Sequence, residues 1–280
     1  IHVVWSDGTD LFHRVKTADQ WSASERIASG TFPDLAVDNA GHVYLVFANR
    51  FGTEKEDVYF ISWQQATGWS LPSPISNTPT ASIFPRIAVG PDGHIAIVWS
   101  EESGDSFSVY VAQSRAGSAW SIMPIPNARG IYPVTAISSL GKLLVAWQDV
   151  LITSYPMEIF FSQYSNGAWL PEAVDVSASP LNDSTRATLA ENKGRICLAW
   201  QESTSEGEAI YTSSSIGETW STPQKASGSA AASAPWLVFD AWDNGHLAWT
   251  TGSAIQYRSW SPNAAPQPFI ENVAAGLMDA

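Results

Sequence analysis

The sequence predicts an all-β chain built by repeating one four-stranded antiparallel unit, and three observations carry that prediction. No stretch follows the 3.6-residue period of a helix, whereas short β-branched and aromatic runs bounded by Gly, Pro, Asn and Asp recur from end to end. An apolar run closed by an aromatic appears six times, at Trp5, Phe47, Trp99, Trp147, Trp200 and Trp249, about every 50 residues, the repeat length of propeller blades. A later strand opens on a tryptophan in five units, at Trp21, Trp69, Trp120, Trp169 and Trp220, usually followed by Ser. Six markers imply a six-bladed β-propeller.

The stretch Phe84 to Ser121 displays one whole unit. Ile87 to Val89 is strand A, and Pro91-Asp92-Gly93 is a turn whose glycine can take positive φ. Ile95 to Trp99 is strand B, Ser108 to Ala112 is strand C, and a turn at Gly117 leads to strand D at Trp120. Strand A recurs as FPDLAVD (32–38), YPVTAIS (132–138), TRATLAE (185–191) and APWLVFD (234–240), and its turn repeats at Gly41, Gly141, Gly194 and Gly245. The blades are therefore expected at 1–30 plus 276–280, then 31–77, 83–127, 131–177, 184–228 and 234–275. The opening IHVVW is a strand B lacking a strand A, so Leu277 to Asp279 is expected to pair beside His2 to Trp5 and close the ring, removing open sheet edges.

One domain of 280 residues is expected, since the repeat leaves no linker between halves. Lys+Arg total 14 against Asp+Glu 27, a net charge of −13, which disfavours nucleic acid or an anionic membrane as partner. A polar, acidic surface suits a secreted or cell-surface protein. The single cysteine, Cys197, lies in the apolar run of a strand B and reads as a buried small hydrophobe. No run reaches the ~18 apolar residues of a membrane helix, and any export signal is expected outside these residues.

Most of the 14 tryptophans recur at equivalent places, as packing between blades requires; Trp236, Trp242 and Trp260 break the pattern and are freer to be exposed. His2, His42, His94 and His246 all open a strand B, and blades spaced ~10 Å apart cannot bring them to one metal, so structural or surface roles are expected, with no metal and no cofactor. The opposite face carries more chemistry. Two residues after each marker stand Asp7, Asn49, Glu101, Asp149, Glu202 and Thr251, and strand A enters there with Phe32-Pro33, Phe84-Pro85-Arg86, Tyr132-Pro133, Thr185-Arg186 and Pro235-Trp236. Rings to stack on and charged groups to make paired hydrogen bonds are what a sugar site uses. The candidate ligand residues are Arg86, Arg186, Tyr132, Glu101, Asp149 and Glu202. A carboxylate repeated in every blade also has a scaffold reading, as an acceptor for strand-end donors. The connection 149–158, with Val150, Leu151, Ile152, Tyr155 and Met157, is unusually apolar and suits contact with a ligand, a partner or its own blade.

Ser213-Ser-Ser-Ile-Gly217-Glu-Thr219-Trp220 resembles the Asp-box of sialidase-like propellers, with Ser215 in place of the aspartate. Gln113 to Trp120 keeps only its glycine and tryptophan. The resemblance implies the propeller fold and a glycan ligand. Sialidases of this fold hold a carboxylated sugar with three arginines and use a tyrosine–glutamate nucleophile and an aspartate acid/base; of these, only Arg86, in Phe84-Pro85-Arg86-Ile87, has a counterpart in similar composition. Connections of ~10 residues leave little for the enclosed pocket of a glycosidase. Three readings follow: an extracellular module binding carbohydrate or a neighbouring protein domain, a glycoside hydrolase with a minimal site, or a spacer in a larger surface protein. Whether the chain is an enzyme stays open, with binding favoured.

Overall fold

A computed structural model of the chain describes every residue except 53, 116–118, 150–155, 218, 229–230, 262–270 and 276–280, and of 271–275 the backbone alone. The fold is an all-β six-bladed propeller of small antiparallel sheets, with no helix among the described residues. The expected turn at Gly117, the apolar stretch 150–155 and the closing strand at Leu277 to Asp279 lie outside the described residues. The chain divides into two compact units, Ile1–Thr135 and Ala136–Ala280.

In the first unit, His2–Ser6 pairs with Asp10–Thr17, which also takes the short pieces Gln20–Trp21 and Glu25–Ser29. The second sheet runs Thr31–Val37, Val43–Asn49, Asp57–Gln64, then Gly68–Trp69 and Ser73–Pro74, and the third runs Ser82–Val89, His94–Ser103, Ser106–Arg115 and Ser121–Arg129. Ile131–Ile137 opens the fourth sheet, and the boundary between units falls within this strand. The second unit holds the rest of that sheet, the fifth beginning at Ser184–Asn192, and the sixth of Ser233–Phe239, Gly245–Thr251, Ala254–Trp260 and Glu271–Ala275. In the second, fourth and fifth sheets strand D is two short pieces on strand C rather than one strand.

The core forms where neighbouring sheets meet face to face. In the first unit Leu11, Leu45, Phe47 and Ile61 make one cluster and Val46, Ile87, Ile97 and Trp99 another; in the second unit Cys197, Ala199, Ile210, Leu237, Leu247 and Trp249 make a third. Phe47, Trp99, Trp147, Trp200 and Trp249 are buried, as their repetition implied, while Trp5 remains 36% exposed. The tryptophans that open strand D are only half-buried: Trp120 meets Phe60 edge-on at 5.4 Å and Trp220 meets Phe161 at 5.0 Å, each ring lying over the preceding sheet, and Trp21 is exposed with Arg14 over its face. Burial raises the Cys197 thiol to about 12, which leaves it a packing residue.

Candidate functional site

One backbone irregularity positions the candidate site. Strand A of the second, third, fifth and sixth sheets bulges so that two residues oppose a single residue of strand B: Phe32-Pro33 face Phe47, Phe84-Pro85 face Trp99, Arg186-Ala187 face Trp200, and Ala234-Pro235 face Trp249. The first of each pair is left-handed, with φ of 52° at Phe32, 55° at Phe84, 54° at Arg186 and 51° at Ala234, and Tyr132 joins them at 52°. Proline suits the second position, because a residue left out of the ladder has no need of an N–H.

In the first unit these bulges bring three rings together. Phe84 lies 4.8 Å from Phe32, edge to face, and 4.2 Å from Tyr132, tilted by 35°. Phe32 is 46% and Tyr132 43% exposed, so the row is open to solvent at both ends. Two residues on, Arg86 stands 4.0 Å from Asp34, whose other carboxylate oxygen accepts the Ile87 N–H at 2.9 Å. Burial pushes the Asp34 carboxyl above its usual range, and the Arg86 guanidinium opposes that shift. Asp34 thus fastens the second sheet to the third while supplying a counter-charge to Arg86. In the second unit Thr188 stands in the matching place, its hydroxyl accepting the Leu237 N–H at 3.3 Å.

These registers correct the expected grouping of the two arginines. Arg86 is two residues beyond the bulge, whereas Arg186 is the bulge residue itself and so corresponds to Phe84; Trp236, 59% exposed, is the counterpart of Arg86. Arg86 and Tyr132 belong to the first unit, and Asp149, Arg186 and Glu202 to the second. Arg186 is exposed and makes no ion pair among the described residues.

Two of the expected carboxylates, Glu101 and Glu202, belong to the scaffold. Glu101 is 4% exposed and accepts the Thr80 and Ser82 hydroxyls, both at 2.6 Å, and the Trp99 indole N–H at 2.9 Å. Glu202, equally buried, accepts the Ser184 hydroxyl at 3.2 Å and the Trp200 indole at 2.9 Å. Asp149 is also buried, and its N–H donates to the Glu158 carbonyl. Each glutamate locks the buried marker indole of its own sheet to the segment leading into strand A, which removes both from the solvent-facing set. The spacing from marker to carboxylate was visible in the sequence; the serine partners were not, because Ser82 and Ser184 come opposite Glu101 and Glu202 only through the register of strand A beyond its bulge.

The histidines that open strand B also have structural partners. His42 pairs with Asp38 at 2.8 Å, His246 with Asp240 at 3.2 Å and with the Tyr257 hydroxyl, and His94 with Gln113 at 3.0 Å. At the Asp-box-like turn, Ser215 is buried and its hydroxyl donates to the Gly217 carbonyl, a local bond in place of an aspartate's.

The sequence matches no protein-family model and no curated protein. The fold does have solved relatives. The α-L-arabinanase of Penicillium chrysogenum complexed with arabinobiose superposes with a TM-score of 0.63 at 14% identity, over 81% of this chain and 76% of that one. The GH93 α-L-arabinofuranosidase of Fusarium graminearum with arabinobiose gives 0.61 at 14% identity, over 85% and 81%. A PL25 ulvan lyase bound to -[GlcA(1-4)Rha3S]- gives 0.58 at 12% identity, over 90% and 72%. At such identities the likeness is one of fold.

Proposed function

We propose that this protein binds oligosaccharides, with the Phe32–Phe84–Tyr132 row of the first unit as its contact surface. The observation that carries the reading is the row itself: three touching rings, two of them well exposed, beside an arginine held by a carboxylate. Exposed rings stack on the C–H faces of sugars, and a guanidinium supplies hydrogen bonds to ring substituents. Saccharide ligands in the three structural relatives, and the Asp-box-like Ser213 to Trp220, support the same class of ligand and a kinship with sialidase-like propellers. Binding is favoured over hydrolysis because Glu101 and Glu202 have their carboxylates committed to the scaffold.

The test is a glycan array run beside a panel of fluorogenic glycosides, followed by titration of wild type, Tyr132→Ala and Arg86→Ala against the selected glycan. A loss of about tenfold or more in either folded variant is expected. Turnover of any glycoside, abolished by Asp34→Asn, would instead support the hydrolase reading, with Asp34 as the carboxylate beside the rings.

A further inference from the structure

The four bulge residues, and Tyr132 with them in its φ, share an oddity. A left-handed backbone is comfortable for glycine and costly for a residue with a Cβ, yet these positions hold Phe32, Phe84, Tyr132, Arg186 and Ala234, none of them glycine or asparagine. Elsewhere glycine takes this conformation at Gly41, Gly141 and Gly194, and the other left-handed residues, among them Ala18, Ala178 and Lys193, do not recur at one register position from sheet to sheet as these do. The bulge geometry itself needs no large side chain, since Ala234 adopts the same φ as Phe84 and faces its own buried tryptophan in the same register. Nor are these side chains core: Phe32, Tyr132 and Arg186 are exposed and Phe84 is half-buried between two rings, while the aromatic opposite each registered bulge, such as Phe47 or Trp200, is the buried one. Strain retained without benefit to the fold is a mark of a contact position.

We infer that the bulge residue is the position through which each sheet addresses its ligand, so that Phe32 and Phe84 are saccharide-contacting residues alongside Tyr132. This rests on the carbohydrate reading above. The ligand class follows from the side chains: two phenyl rings and a phenol offer faces and edges to a neutral sugar's C–H surface, and only the Tyr132 hydroxyl among them is able to hydrogen-bond. In the second unit the same position carries Arg186, a polar contact, and Ala234, a silent one. The variation in side chain over a constant backbone is what a reading position would show.

Glycine substitution separates contact from structure, because it relieves the strained φ while deleting the side chain. Phe32→Gly, Phe84→Gly and Ala234→Gly would be compared with wild type by thermal melting and by titration with neutral arabino- and xylo-oligosaccharides and an acidic glucuronate-containing oligosaccharide. Melting temperatures within about 3 °C of wild type are expected for all three. Affinity for a neutral probe should fall about tenfold or more in Phe32→Gly and Phe84→Gly and stay unchanged in Ala234→Gly. A fall in melting temperature of about 10 °C or more in both phenylalanine variants would mark the rings as core and overturn the inference. Retained stability with retained affinity overturns it as well, while leaving the carbohydrate reading intact if Tyr132→Ala loses binding. Failure of the wild type to bind any probe overturns that reading and this inference together.

Discussion

At the scale of single residues, the polar groups that looked most functional are the ones the fold consumes. Glu101 stands between a buried indole and two hydroxyls, and deleting its carboxylate would orphan three donors, the Trp99 indole and the Ser82 hydroxyl among them fully buried. Leaving buried donors unpaired costs more than the bonds themselves are worth, so Glu101→Ala is expected to lose about 3 kcal/mol in urea unfolding while leaving glycan affinity unchanged in the folded fraction. A variant with an unshifted unfolding midpoint would contradict the scaffold assignment. Gly30 makes a second test. A Cβ there would lie 2.5 Å from Phe47 Cδ2 and 3.0 Å from the Ala48 carbonyl, and φ is +158°. The phenyl ring is fully buried and has no room to retreat, so Gly30→Ala should cost about 1–3 kcal/mol.

At the scale of strands and sheets, legibility followed the buried face. The marker aromatics and turn glycines revealed the repeat because one residue type must recur wherever two sheets pack, and this fixed strands A, B and C. The bulge escaped because its left-handed residue is Phe, Tyr, Arg or Ala, where glycine would have been the recognisable signal. The recurring proline after it, at Pro33, Pro85, Pro133 and Pro235, was the available clue, since proline inside a strand marks a departure from the ladder. Without that clue, Arg186 was grouped with Arg86. Strand D was read as one strand because Trp169 and Trp220 open it, yet only two-residue pieces there hold the ladder.

The joint between the first two sheets shows an element-scale device that periodicity does not reveal. Trp69 donates its indole N–H to His13 Nδ1 at 3.4 Å, which leaves the His13 proton on Nε2, directed at His2 Nδ1 3.0 Å away. Burial first, and His2 second, hold His13 down at about 4. A histidine lowered in the folded state binds its proton less readily there than in the unfolded chain, so stability is full above pH 6.5 and declines as pH falls toward 4. Between pH 6.5 and 5 most carboxylates remain ionised, so urea unfolding across that window isolates the histidines. His13→Gln should give a flatter stability profile than wild type; an equally steep profile would place the acid sensitivity elsewhere.

For the molecule as a whole, charge decides which ligands the aromatic row can take. With 14 basic against 27 acidic residues the chain carries −13, and the cation that stands beside the row among the described residues, Arg86, faces Asp34 at 4.0 Å. The long-range field therefore repels anions, and no local excess of positive charge at the row reverses it. Affinity must come from short-range stacking and hydrogen bonds, which salt scarcely touches. Binding of a neutral oligosaccharide is expected to change less than about twofold between roughly 20 and 300 mM NaCl, because no ion pair forms on binding. A polyanionic glycan should bind more weakly at the low end of that range and gain as the Debye length shortens. Titration of both ligand types in wild type and Arg186→Ala reads this directly. Anion binding that tightens as salt is withdrawn, and is lost in Arg186→Ala, would show recognition led by a cation and would shift the principal site from the first unit's rings to the exposed arginine of the second.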